Sequence, residues 1–132
     1  MKIRFTIALA GCFLCSTLVA CHHDTIEDRA AKEAKEYTER YCPTPPINGQ
    51  RTDSIAFDRS KRTLIYYYTL VGKADAPEII KENKKKLLQS IRQQVMEDTR
   101  NKAYKDAGFK FRYIYRSEKT GEILLEETVA GK

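Results

Sequence analysis

The sequence has no tryptophan, only two histidines and, beyond its first 21 residues, a single cysteine. The histidines, His22 and His23, are adjacent and precede the first segment with any helical or strand periodicity. Nucleophilic catalysis of the Ser-His or Cys-His kind needs an imidazole held by a third group. A zinc site needs further His or Cys ligands at suitable spacing. A histidine pair outside the fold supplies neither and reads as a polar tether. Glycine is also scarce, with six residues, and none forms a phosphate-cradling loop. No catalytic residue, metal site or cofactor site is expected. Carboxylates remain, with Asp53, Asp58 and Glu118 the places to look for an acid–base pair. Glu126 and Glu127 are neighbours on a strand and point to opposite faces.

Three of the four cysteines, Cys12, Cys15 and Cys21, lie near the start. Cys12 and Cys15 have the spacing of a redox pair, but they sit in an apolar run with no βαβ pattern around it. That run is a leader. Lys2 and Arg4 give a positive start, and residues 5–18 are mostly apolar, too short for the roughly 20 residues of a membrane span. The run closes on Leu18-Val19-Ala20-Cys21, which resembles the lipobox of bacterial lipoproteins. The resemblance implies cleavage after residue 20 and acyl chains on Cys21, the only covalent group expected. Leu9-Ala10-Gly11-Cys12 is a competing lipobox, but cleavage there would leave a second greasy run at the new start. Residues 1–20 are thus expected to be a signal peptide, 21–24 a lipidated tether and 25–132 one domain. Two or more acyl chains hold a protein firmly to a bilayer. Residue 22 is not the aspartate that retains lipoproteins at the inner membrane of enteric bacteria, so the expected site is the outer membrane, facing the periplasm. If Cys21 is acylated, Cys42 has no partner in its own chain. It is then a helix-end thiol or one half of an intermolecular disulfide.

The formal charge of +6 falls to about +4 once Lys2 and Arg4 leave with the signal. So mild a charge permits acidic or membrane partners without demanding them. The 112 residues left suit a single modest core. Asp24 as N-cap with Glu27 three residues on starts a helix over 25–41, with Ile26, Ala30, Ala34, Tyr37 and Tyr41 on one stripe. Pro43, Pro45 and Pro46 stop it. Strands over 54–57 and 63–71 form a hairpin around a polar turn. The longer strand is apolar on both faces, which leaves open a dimer through the sheet. A helix over 77–107 follows, with Asp75 as N-cap and Pro77 in its first turn. Its well-packed part is 87–99. Gly108 ends it. Phe109, Phe111, Tyr113 and Tyr115 then alternate with Lys110, Arg112, Ile114 and Arg116, the clearest period-two strand of the chain. Residues 117–121 turn, and 122–129 return. The expected fold is α+β, in the order α-β-β-α-β-β: a four-stranded antiparallel sheet from two hairpins, with helices packed on one face.

Several features are shared with other chains: Cys42-Pro43 after an amphipathic helix, Thr52-Asp53-Ser54, Leu64-x-Tyr66-x-Tyr68-Thr69-Leu70, and Gly108 leading to Tyr113-x-Tyr115 with Gly121 beyond. Over residues 25–130 this is similar to a group of small bacterial envelope proteins with the same α-β-β-α-β-β order. The resemblance implies a fold and a compartment, but no activity. That group carries further cysteines late in the chain and this sequence has none after Cys42, so a shared disulfide does not carry over.

The function expected from these readings is a lipid-anchored, non-catalytic binding or assembly module. Its partners would be the membrane, through the acyl chains, and an envelope protein. The candidate partner surface is the cationic sheet face of Lys110, Arg112 and Arg116 with Tyr67, because arginine and tyrosine recur at interface hot spots. Lys81, Lys84, Lys85 and Lys86 form a second cluster that could meet an anionic membrane surface. An inhibitor or immunity lipoprotein against a toxin or hydrolase is the alternative, and a carboxylate-based hydrolase the second. The aromatic–basic run from Gly108 to Tyr115 superficially resembles an RNA-binding strand. Its strict alternation reads more simply as a core face, and no nucleic-acid partner is expected.

Overall fold

A computed structural model describes residues 23–131. The signal peptide, the lipobox and Cys21 lie outside the described residues. The elements run α1 (Ile26–Tyr41), β1 (Gln50–Asp58), β2 (Thr63–Leu70), α2 (Pro77–Glu82), α3 (Lys84–Glu97), α4 (Lys102–Asp106), β3 (Lys110–Ser117) and β4 (Ile123–Ala130). The α+β class, the single four-stranded sheet and the helices packed on it match the sequence reading. Among the described residues, no helix is long and apolar enough to cross a membrane.

The sheet order is β1-β2-β3-β4, but the two hairpins meet differently from the all-antiparallel arrangement the sequence suggested. β1–β2 and β3–β4 are antiparallel, and β2–β3 is parallel, running from Thr63↔Lys110 to Leu70↔Ser117. The cause is the helical crossover. β2 ends at one end of the sheet, α3 carries the chain back, and β3 starts beside the start of β2. A single helix over 77–107 would measure about 46 Å against roughly 26 Å for an eight-residue strand. The chain resolves this mismatch by breaking at Asn83 and again at Asp98, so that α3, at roughly 21 Å, matches the sheet.

The second break is held by a buried lysine. Lys105 is 9% exposed. Its ammonium donates to the carbonyls of Val95 at 2.9 Å, Met96 at 3.0 Å and Asp98 at 2.6 Å. These are orphan acceptors at the end of α3, where a cation also meets the negative end of the helix dipole.

One sheet face makes the core. Phe57 and Ile55 of β1, Leu64 of β2, Phe111 of β3 and Leu125 and Val129 of β4 share it by register. Ala30 and Ala34 of α1 pack against it, as do Ile91 and Val95 of α3. α1 begins one residue later than the sequence implied. Thr25, not Asp24, is the N-cap, in a reciprocal box with Asp28 at 3.1 Å each way. Glu27 instead pairs with Arg62 at 3.0 Å, and Asp28 also pairs with Arg59. These pairs fasten the start of α1 to the β1–β2 turn. The apolar stripe narrows along the helix, and Tyr37 and Tyr41 end 37% and 55% exposed, their rings tilted against each other with centroids 5.2 Å apart.

β1 is longer than the sequence suggested because Asn48-Gly49, both at positive φ, reverse the chain between Ile47 and Gln50. This turn closes the outer edge of the sheet. Thr44 exchanges two bonds with the backbone of Thr52, at 3.0 Å each. The Thr38 hydroxyl both donates to the carbonyl of Ile55 and accepts from its N–H, at 2.9 Å each. With Ile47 on Gln50, three of the outward-facing backbone positions of β1 are satisfied by the chain's own residues.

Candidate functional site

α1 lies over β1 and α3 lies towards β4, so the middle of the core face is only partly roofed. The result is a cleft of about 310 Å³ between the two helices. Its floor is tyrosine: Tyr66 and Tyr68 from β2 and Tyr113 from β3, brought side by side by the parallel register. Tyr66 stacks on Tyr113 at 4.8 Å, and Tyr68 stacks on Tyr115 at 5.0 Å. The α1 wall offers Glu33, Ala34 and Tyr37. The opposite wall is Gln94 of α3, the connection Asp98–Arg100–Asn101 and Tyr104 of α4.

The charges at the mouth are paired internally. Arg100 forks onto Asp98 with two bonds of 3.1 Å, which lowers the Asp98 carboxyl below its ordinary range. Burial raises the Glu33 carboxyl, but hydrogen bonds donated by Tyr104 and Arg29 outweigh it and the net shift is downward. The floor is neutral. Burial pushes the Tyr66 phenol up to about 12, partly offset by a hydrogen bond with Asn101, and raises Tyr68 and Tyr113 as well. Tyr115, beside them, is pushed up to about 12 by burial. Such a floor offers flat aromatic faces with hydroxyls that hydrogen-bond without carrying charge. It suits apolar or aromatic groups of a partner better than it suits an ion.

These shifts predict alkaline sensitivity. Each phenol loses its proton less readily folded than unfolded, so the unfolded state sheds protons first as pH rises. Stability is therefore full below about pH 10 and falls between pH 10 and 12. Denaturant titrations across that range should show the midpoint dropping. Phe replacements at Tyr66 and Tyr115 should flatten the drop.

Residues 25–125 match the sequence model of a family described as "Domain of unknown function (DUF8479)". The chain belongs to that family. No curated protein matches the sequence. Three solved structures share the fold of this DUF8479 domain. A secreted-type protein from Pseudomonas aeruginosa has a TM-score of 0.60 at 13% identity, covering 80% of this chain and 94% of that one. The pilotin EpsS of the Vibrio vulnificus type 2 secretion system has a TM-score of 0.58 at 14% identity, covering 80% and 87%. The type II secretion system pilotin AspS from Vibrio cholerae has a TM-score of 0.57 at 16% identity, covering 80% and 88%. At these identities the likeness is one of fold.

The surfaces expected from sequence lie elsewhere on the DUF8479 domain. Lys110, Arg112, Arg116 and Tyr67 fall on the sheet face opposite the cleft. Arg112 is paired with Glu126, and Arg116 donates to the Gly121 carbonyl at 3.1 Å. Lys110 is exposed and Tyr67 half-buried. Lys81, Lys84, Lys85 and Lys86 are all exposed, at the end of the sheet where β2 finishes. Residue 23 lies at the other end, beside the β1–β2 turn, roughly 25 Å away along the strands. Of the carboxylates, Asp53 and Glu118 share Arg51, at 2.8 and 3.4 Å, whereas Asp58 caps the distant β1–β2 turn through Ser60 and Lys61. Cys42 is half-buried, its thiol pushed up by burial and by nearby Asp53. Among the described residues, no group of three or more metal-ligating side chains assembles.

Sequence reasoning passed over the cleft because Tyr66, Tyr68 and Tyr113 alternate as core residues should. The available signal was chemical. A buried face built from tyrosine rather than leucine or valine must find partners or water for its hydroxyls, and so marks a half-open face.

Proposed function

We propose that this chain is a lipid-anchored, non-catalytic assembly module of the bacterial envelope. It works in the manner of a secretion-system pilotin and holds an envelope protein in the tyrosine-floored cleft. The observation that carries the reading is the unroofed, tyrosine-floored stretch between α1 and α3. The shared fold with two pilotins supports an assembly role, and the lipobox at Cys21 supplies the anchor. The outer membrane, facing the periplasm, is the compartment that follows. Acyl chains on Cys21 hold the module close to the bilayer, because only residues 22–24 separate them from the cap of α1.

The test is cross-linking and capture from intact envelopes carrying the full chain. Gln94→Trp, at an exposed position on the cleft wall, should fill the cleft and reduce capture of a defined partner at least tenfold without shifting Tm. Cys21→Ala should also lose it, by removing the anchor. Capture unchanged by Gln94→Trp but lost in Arg112→Glu with Arg116→Glu would move the seat to the opposite face of the sheet and defeat the cleft reading.

A further inference from the structure

The two edges of the sheet are treated differently. The outer edge of β1 is shut at Gln50, Thr52 and Ile55 by the chain itself. β4 is not. Its ladder phase follows from Gly131, whose N–H donates to the Phe109 carbonyl at 3.0 Å. Through the register this makes Phe111–Val129, Tyr113–Glu127 and Tyr115–Leu125 the hydrogen-bonded pairs. The backbone groups of Glu126, Thr128 and Ala130 therefore point away from β3, up to the bulge at Leu124. Among the described residues nothing donates to or accepts from them. Glu126, Thr128 and Ala130 are exposed. Open edges of this kind are normally covered, broken by proline or guarded by charges and bulges; β4 has no proline or lysine, and its guards are the carboxylates of Glu126 and Glu127 and the bulge at Leu124.

From this edge we infer that a second copy of the chain pairs with β4, antiparallel, about a two-fold axis at Glu127. The strand is self-complementary about that residue. Leu125 meets Val129 of the second copy, apolar on apolar, and Glu126 meets Thr128. At the axis Glu127 faces its own copy, a repulsive pair in isolation. Each Glu127, however, is bound by Arg92, whose Nε and guanidinium nitrogen both reach Oε1 at 3.0 Å. Nothing among the described residues donates to Oε2. Each arginine thus neutralises its own glutamate, which offsets the repulsion where the two Glu127 side chains meet at the axis. A register centred on Glu126 or Thr128 loses this match, placing Glu126 against itself or Glu127 against Val129. Because the β1 edge is shut at Gln50, Thr52 and Ile55 among the described residues, pairing ends at two copies and yields an eight-stranded sheet.

The test is a cysteine scan of β4 in the full-length chain with Cys42→Ser, oxidised mildly in the intact envelope. In a pairing centred on Glu127, that position meets itself at about 4.5–5.5 Å between Cα atoms, within disulfide reach. Leu125 and Val129 are offset from their own copies by four residues and lie beyond it. Glu127→Cys should give at least ten times more disulfide-linked dimer than Leu125→Cys, Val129→Cys or, on β1, Ser54→Cys. Adding Thr128→Pro, which removes an outward N–H and leaves the β3 ladder untouched, should abolish most of that dimer. No dimer from any β4 position, equal yields along the strand, or a maximum at another residue would each overturn the pairing. Cleft capture by Gln94→Trp is read separately, so failure here leaves the cleft reading standing.

Discussion

Replacing Lys105 with methionine should lower the unfolding free energy of the domain by about 3 kcal/mol. The stem of the side chain would still be filled, so the loss isolates the ammonium. That group spends its three donors on three carbonyls at the end of α3, at 2.6–3.0 Å. Hydrogen bonds to a charged donor are stronger than neutral ones, and buried acceptors left without a donor cost about 1–3 kcal/mol each. Partial rewetting keeps the total below the sum. Lys105→Arg should not restore stability, because a planar guanidinium cannot converge on three carbonyls as a tetrahedral ammonium does. Urea denaturation of both variants is the measurement. A loss below about 1 kcal/mol in the methionine variant would mean that water caps the helix as well as the lysine does. The same substitution should loosen the Asp98–Asn101 connection, which is one wall of the cleft, and so weaken partner capture along with stability.

Phe109→Ala should cost still more, about 3–5 kcal/mol. The ring is fully buried between Phe57 and Tyr104, with centroids 5.3 Å away on each side and planes inclined by 18°. The guanidinium of Arg62 lies over it at 4.9 Å. Truncation would open a cavity where β1, α4 and the start of β3 meet, and neither neighbouring ring could collapse into it without leaving its own partners. Phe109→Leu, which keeps most of the volume, should lose much less. If the two variants proved equally stable, the three-ring stack would contribute only area and its geometry would be irrelevant. Thermal melts of the two side by side decide the point.

How far the sequence could be read depended on whether local periodicity or a distant partner set each feature. The β3 strand was legible because Phe111, Tyr113 and Tyr115 alternate with Arg112, Ile114 and Arg116 regardless of context. The hairpins and the α+β class followed for the same reason. The break at Asp98 was not legible, because it depends on the Lys105 side chain reaching back seven to ten residues in the folded state. The parallel pairing of β2 with β3 was available in the sequence, since the helix read between two strands is the crossover that parallel neighbours require, but the reading joined the two hairpins as all antiparallel. The N-cap slipped by one because Asp24 and Thr25 are both good caps and only the fold chooses between them. At the candidate site, Tyr66, Tyr68 and Tyr113 were visible as one face of the sheet. Nothing local to them said that α1 and α3 would stand apart and leave that face half open.

The absence of tryptophan has a practical corollary for the cleft. All intrinsic fluorescence of the chain comes from its eight tyrosines, and five of them, Tyr37, Tyr66, Tyr68, Tyr104 and Tyr113, line that one space. Their emission and near-ultraviolet dichroism are therefore dominated by a single locality. A peptide or fragment without aromatic residues could be titrated against the unlabelled protein, with the site itself as the optical probe.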